Sequence, residues 1–326
     1  MNQITNTNHL ILLKAAKKLK LTSRIIQFQP PIIEITHQQK THRLSEKSLG
    51  INTKQKAKTI SKNKALTLKT LQSANLPTPK FFPLTQRSQY KKALKSVPFP
   101  QVTKPLTGEK GKNIFLNITN QTTGQKAVNH IFSKTNHDCL VETYHQGNDY
   151  RFMVLNFKLI GLSQRLSPTI TGDGQHTIKQ LIRLENRHRF QQNQKLGKRL
   201  LNRMRHWPRI KWNLAQQNLT LKTILKKNQT ITLYPIPNFS TGGSVKAIDI
   251  KTIHPSLINL AQQAAQAINL EIIGIDMLIK NLNKPPKNNT VIIEVNSDPG
   301  LRLHDWPNQG KSQHVTEKIL KYIFKL

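Results

Sequence analysis

Two apolar runs near the C-terminus alternate in the period of a β-strand. The first is Glu271-Ile-Ile-Gly-Ile-Asp276-Met-Leu-Ile279 and the second is Thr290-Val-Ile-Ile-Glu294-Val-Asn296. Both are rich in β-branched residues, and the polar segment Lys280 to Asn289 between them carries two prolines, so the pair predicts a hairpin. A loop centred near residue 285 sets a register in which Asp276 opposes Glu294. Side chains alternate along a strand, so Asp276, Glu294 and Asn296 share one face and Val295 takes the other.

Elsewhere the pattern predicts helices over 9–20, 64–75 (ending at Leu76-Pro77-Thr78-Pro79), 177–187 and 254–268. Strands are predicted at 25–28 and 32–35 around Pro30-Pro31, between Pro98 and Pro105, at 139–144, and as a pair over 150–165 turning near Asn156-Phe157. Thr107 to Asn113 is a loop and Thr171-Gly172-Asp173-Gly174 a turn. The polar stretch from about 36 to 60 gives no pattern, 190–230 is the least readable, and no segment repeats. Strands and helices mix without strict βαβ alternation, which argues an α+β fold of separate lobes over a doubly wound sheet.

Two carboxylates and an amide oxygen on one strand face, beside the loop Ser297-Asp298-Pro299-Gly300, make a hard-oxygen site that suits Mg²⁺. The competing reading is a chance acid pair on a solvent-facing hairpin. Composition shifts the balance. The chain has 15 acidic and 51 basic residues, a net charge of +36, where about 40 of each sign is ordinary at this length. Acids are what is missing, so those that stand on apolar strands are candidates for function.

No window is long and apolar enough for a transmembrane helix, and the short run His9 to Leu13 leads straight into lysines, so a membrane span and export are not expected. Cys139 is a lone cysteine inside an apolar strand, which excludes an internal disulfide and suits a reducing cytoplasm. The positive charge raises nucleic acid as a partner, with Lys195 to Lys211 (Arg199, Arg203, Arg205, Arg209) as the densest patch. The bases are nevertheless dispersed along the chain, so a solvated surface that attracts anionic ligands is the favoured reading.

Four phrases in order carry a resemblance. They are Lys64-Ala-Leu-Thr with Ala74-Asn-Leu-Pro-Thr-Pro79; Asp149-Tyr-Arg151 with Thr171-Gly-Asp-Gly174; Asn238-Phe-Ser-Thr-Gly-Gly243; and Gly274-Ile-Asp276 with Glu294-Val-Asn296 and Pro299-Gly-Leu-Arg302-Leu-His304. Over roughly 60–310 the chain resembles the ATP-grasp superfamily, in particular the ATP-grasp part of cyanophycin synthetases and of bifunctional glutamate–cysteine ligase/glutathione synthetases. The resemblance implies two α+β lobes gripping ATP, with domains at 1–58 (a small N-terminal domain), 59–145 (first lobe) and 146–326 (second lobe with an insertion around 190–230). It implies a free-standing grasp unit without the further catalytic domains of those relatives.

Roles follow from the same resemblance. Lys64 and Lys104 hold phosphates as point charges, and Gly108 and Gly111 belong to a loop that closes over them, with Asn113 where relatives carry a third glycine. Asn tolerates left-handed backbone angles, so the loop survives the change. Glu142 lies on the strand that meets adenine and Asp149 faces the ribose. Asp276, Glu294 and Asn296 are ligands of two Mg²⁺ ions, with Mn²⁺ as a substitute. Arg151, Arg165 and Arg302 stand where the carboxylate substrate or its acyl phosphate binds, a task suited to a planar fork. His304 is either a polar neighbour of the site or a satisfied loop histidine. The implied function is an ATP-dependent carboxylate–amine ligase acting through an acyl phosphate on an amino acid or short peptide. A homo-oligomer is left open. The alternative is a non-catalytic relic of the fold that binds nucleotides or nucleic acid through its basic surface.

Overall fold

Ile11, Leu12, Ala15 and Ala16 recur at helical spacing, and all four are buried on α1 (Thr7–Lys18). The computed structural model describes residues 7–45, 48–49, 54–108, 111–135, 138–196, 200–205 and 207–326. After α1 come β1 (Thr22–Phe28), β2 (Pro31–His37) and β3 (Lys40–Ser45), an antiparallel sheet in that order. The third strand is unforeseen in the sequence because its only buried apolar residue is Leu44.

The chain continues through α2 (Gln55–Lys62), α3 (Lys64–Ser73), β4 (Phe81–Leu84), α4 (Tyr90–Ala93), β5 (Gln101–Pro105), β6 (Phe115–Ile118), α5 (Gln121–Lys134) and β7 (Cys139–Thr143). These strands form an antiparallel sheet in the order β4-β7-β5-β6. Cys139 and Val141 of β7 pack with Val128 and Ile131 of α5 in a small core, which turns Leu140 and Glu142 to the opposite face. Burial pushes the Cys139 thiol up to about 12, so it is an inert core residue.

Next come β8 (Asn148–Leu155), β9 (Lys158–Leu166), β10 (Thr169–Thr171), α6 (Ile178–Lys195), α7 (Trp207–Ala215), β11 (Thr230–Thr232) and β12 (Ser244–Ala247). The last elements are α8 (Pro255–Ile268), β13 (Ile272–Ile279), β14 (Thr290–Asn296), α9 (Arg302–Asp305) and α10 (Val315–Phe324). A five-stranded sheet in the order β12-β9-β8-β13-β14 is the centre of the molecule. One face packs against α8 and the α2–α3 region in the largest core. Helix α8 has the expected bounds because His254 caps it, Pro255 opens it, and its apolar stripe from Leu257 to Ile268 meets that sheet face.

The other sheet face is divided. Met153, Leu155 and Ile272 are covered by α1, α10 and β2, whereas the opposite end of the same face is charged. Thus α10, at the end of the chain, shares a core with the first elements. Residue 58 falls inside α2, and residue 145 falls between β7 and β8. A separate core joins α6, α7, β10 and β11 into a subdomain over the unreadable stretch. No helix among the described residues is long and apolar enough to cross a membrane.

Candidate active site

The hairpin forms in the expected register: β13 pairs antiparallel with β14, Asp276 opposes Glu294, and Val295 opposes Ile275 in the core. On the other side of β13, Asp276 opposes Arg151 of β8, and Asp149 opposes Arg165 of β9. Asp149, Arg151, Ser163, Arg165, Asp276, Glu294 and Asn296 therefore share one face. Five are the carboxylates and arginines singled out from the sequence.

Their charges are paired across strands. Arg151 donates through Nε to Asp276 Oδ1 and through Nη2 to Oδ2 at 2.9 Å. Arg165 donates to both oxygens of Asp149, at 2.6 and 2.9 Å, and through Nη2 to Asp276 Oδ2 at 2.8 Å. Burial by itself would raise the fully buried Asp276, but Arg151 and then Arg165 outweigh it and hold the carboxyl below its usual range. Asp149 goes the other way, because desolvation exceeds the pull of Arg165.

Lys64, the first residue of α3 behind the Asn63 cap, lies 3.6 Å from Glu294 and donates to the Gly108 carbonyl at 3.0 Å. Lys104 and Glu142 face the same space from the smaller sheet and pair at 2.8 Å, both buried. Strand β7 lies between β4 and β5, so Glu142 stands on an interior strand. Burial raises Glu142, with Lys104 opposing. The structure thus brings Lys64, Lys104, Gly108, Glu142 and Glu294 together where the two sheets meet. Asn113 has φ +54°, the left-handed conformation its residue type tolerates. Within the glycine loop, Glu109 and Lys110 lie outside the described residues, as does Arg199 of the basic patch.

Arg302 contrasts with the other two arginines. It is buried, stacks 3.4 Å over the Phe239 ring and donates to the Leu200 carbonyl. Its Nε and Nη1 have no hydrogen-bond partner, and no carboxylate pairs with it, among the described residues. Burial pushes it down to about 9, still a cation at neutral pH. An anion is the group that would satisfy it. His304, fully buried, bonds through Nδ1 to Gln313 at 2.9 Å and Ser163 at 3.0 Å, which leaves Nε2 without a partner among the described residues.

A hard cation fits the hairpin face. Asp276 is kept ionised, Glu294 is partly exposed, and the Asn296 amide nitrogen is buried without a partner among the described residues, so turning that amide offers its oxygen instead. Among the described residues no cluster of three His, Cys, Asp or Glu side chains supplies a metal site, so phosphate and water oxygens would complete the shell. Sequence reasoning did not single out Phe239 or Ser163, and it placed Arg209 only in a basic patch. Arg209 in fact donates to the Gly111 carbonyl at 2.5 Å.

This is the ATP-grasp fold. The chain superposes on a bifunctional glutathione synthetase from Pasteurella multocida with a TM-score of 0.67 at 23% identity, over 98% of this chain and 43% of that one. Residues 237–323 match the RimK-like ATP-grasp domain. In sequence the chain is 33% identical over 262 residues to cyanophycin synthetase of Crocosphaera subtropica, covering 78% of this chain and 29% of that protein. It is 29% identical over 269 residues to the glutathione biosynthesis bifunctional protein GshAB of Streptococcus agalactiae serotype V, covering 80% and 35%. The chain therefore spans about a third of the length of these relatives, and the expected superfamily and fold are borne out.

Proposed function

We propose that the chain is an ATP-dependent carboxylate–amine ligase. A substrate carboxylate oxygen attacks the γ-phosphorus of ATP, the bond to the β-phosphate oxygen breaks, and ADP leaves with the electron pair. An amine then attacks the acyl carbon, phosphate departs and takes up the amine proton, and an amide remains. No side-chain nucleophile is required, so the work of the protein is positioning and electrostatics.

The observation that carries this reading is the division of the arginines and lysines. Arg302 is buried beside Phe239 with no carboxylate partner among the described residues, while Lys64 and Lys104 converge with the glycine loop. In this reading Lys64 and Lys104 hold the phosphates, and Glu142 fixes the orientation of Lys104. Asp149 keeps lone pairs beyond its bonds to Arg165 for the ribose hydroxyls. Arg302 receives the substrate carboxylate or its acyl phosphate as a bidentate fork, and Arg151 and Arg165 keep Asp276 ionised. Asp276, Glu294 and Asn296 would hold Mg²⁺, two ions being expected, and when bound these would supply neutralisation of phosphate charge.

The substrates are an amino acid or short peptide with a free carboxylate, preferably acidic in so positive a field, and an amine. The test is ATP-dependent phosphate release over a panel of amino acids and dipeptides, comparing wild type with Glu294→Ala. Release should fall by about 10²-fold or more in the variant. Absence of release with every pair, together with tight, salt-sensitive nucleic-acid binding, would replace the ligase by the non-catalytic reading.

A further inference from the structure

Helix α7 belongs to the subdomain built on β10, α6 and β11, yet its Arg209 reaches the glycine loop. The guanidinium is half-buried, has no carboxylate partner among the described residues, and donates through Nη2 to the Gly111 carbonyl at 2.5 Å. Gly111 has φ +64°, and a Cβ there would meet Ile236 at 3.1 Å, so this part of the loop is seated on the segment that leads into Asn238. In a trans peptide the carbonyl and the following N–H point opposite ways. By holding the Gly111 carbonyl, Arg209 turns the Lys112 N–H away from α7.

The same subdomain grips the other half of the site. Arg189 of α6 donates through Nη1 to the carbonyls of Asn202 (2.8 Å) and Gly242 (2.7 Å). Asn202 donates to the Phe239 carbonyl at 3.1 Å. Leu200 accepts from Arg302, and from Asn308 at 3.0 Å. Polar contacts thus hold Gly111 at one end and the Phe239 carbonyl, beside the ring under Arg302, at the other, and the small apolar core shared by α6 and α7 joins the two ends.

We propose that Arg209 is a positioning residue that couples the glycine loop to the Asn238–Gly243 loop, so that nucleotide binding orders the carboxylate-binding half of the site. This rests on the nucleotide reading above. The subdomain is then a coupling element: nucleotide held under the glycine loop favours the loop arrangement in which Arg302 lies on Phe239.

Hydrogen exchange with and without Mg-ADP tests it on wild type, Arg209→Met and Arg209→Lys. In wild type, Mg-ADP should protect β7, the glycine loop and residues 238–243. In R209M protection of β7 should persist while that of 238–243 is lost, with nucleotide affinity about tenfold weaker, as for one lost charged hydrogen bond. R209K, which keeps the charge, should recover affinity and part of the protection. Equal protection of 238–243 in wild type and R209M would overturn the coupling and leave the nucleotide site standing. Absence of β7 protection in wild type would overturn the nucleotide reading and the coupling with it. Unchanged exchange in α6 and α7 without nucleotide confirms that R209M is folded.

Discussion

Asp276 sits where three strands place two arginines and a second carboxylate around it, and each neighbour restricts what it can do. Both its oxygens accept from arginine, so it stays ionised despite complete burial, while Arg165 is shared with Asp149 through Nε and Nη2. Arg302 is the complement, a buried fork with unused donors. His304 shows how far the surroundings are fixed. Gln313 donates through Nε2 to the carbonyls of Leu162 (2.8 Å) and Ile248 (2.7 Å), which turns its Oε1 to His304 and puts the ring proton on Nδ1. Burial pushes the neutral ring down to about 4 from 6.5. A depressed pKa contributes stability that is whole above pH 6.5 and disappears as pH falls through about 4. The stability gap between wild type and His304→Asn, measured by urea unfolding, should therefore narrow by about 3 kcal/mol between pH 7 and pH 4. A gap independent of pH would show that the imidazole is not held neutral.

At the scale of elements, the parts legible in the sequence are those where one period runs uninterrupted. The β13–β14 register follows from period-two alternation on both sides of a polar loop, and it fixes the shared face of Asp276, Glu294 and Asn296. The β8–β9 turn falls at Asn156-Phe157, both with positive φ. The 190–230 stretch was opaque because polar side chains bonded to backbone hold much of it. Asn193 ties Leu200 and Leu201, and Asn186 ties Met204. None of these bonds leaves a hydrophobic period. The Arg209–Gly111 contact spans 98 positions and has no local signal at all. Helix α6, by contrast, starts where its cap dictates: Thr177 and Gln180 form a capping box. Thr177→Ala should cost about 1 kcal/mol. In a subdomain with its own core that loss appears as exchange about fivefold faster in α6, with α8 unchanged. Equal acceleration in both helices would mean that the subdomain opens only with the whole molecule.

At the scale of the whole molecule, the charge pattern separates inside from outside. Four of the few acids, Glu142, Asp149, Asp276 and Glu294, gather at the centre, and acids such as Asp173, Asp249 and Glu271 stand on a surface dominated by cations under a net charge of +36. Such a shell repels itself, and salt relieves the repulsion because exposed charges interact over a screening length of about 30 Å at 0.01 M but about 3 Å at 1 M. The buried pairs Arg151–Asp276 and Lys104–Glu142 are largely outside that screening. Raising NaCl from about 0.01 to 0.5 M should therefore raise the melting temperature, by about 2–4 °C for each kcal/mol of repulsion removed. The same field draws a polyanionic nucleotide to the cleft, and salt weakens that attraction, so the KM for ATP should rise over the same range. The two effects have opposite signs, and this opposition distinguishes a diffuse surface field from a stability built on ion pairs. If the melting temperature fell with salt while KM stayed level, the excess of bases would be structural, and the attraction of anionic ligands would have to come from the residues of the cleft alone.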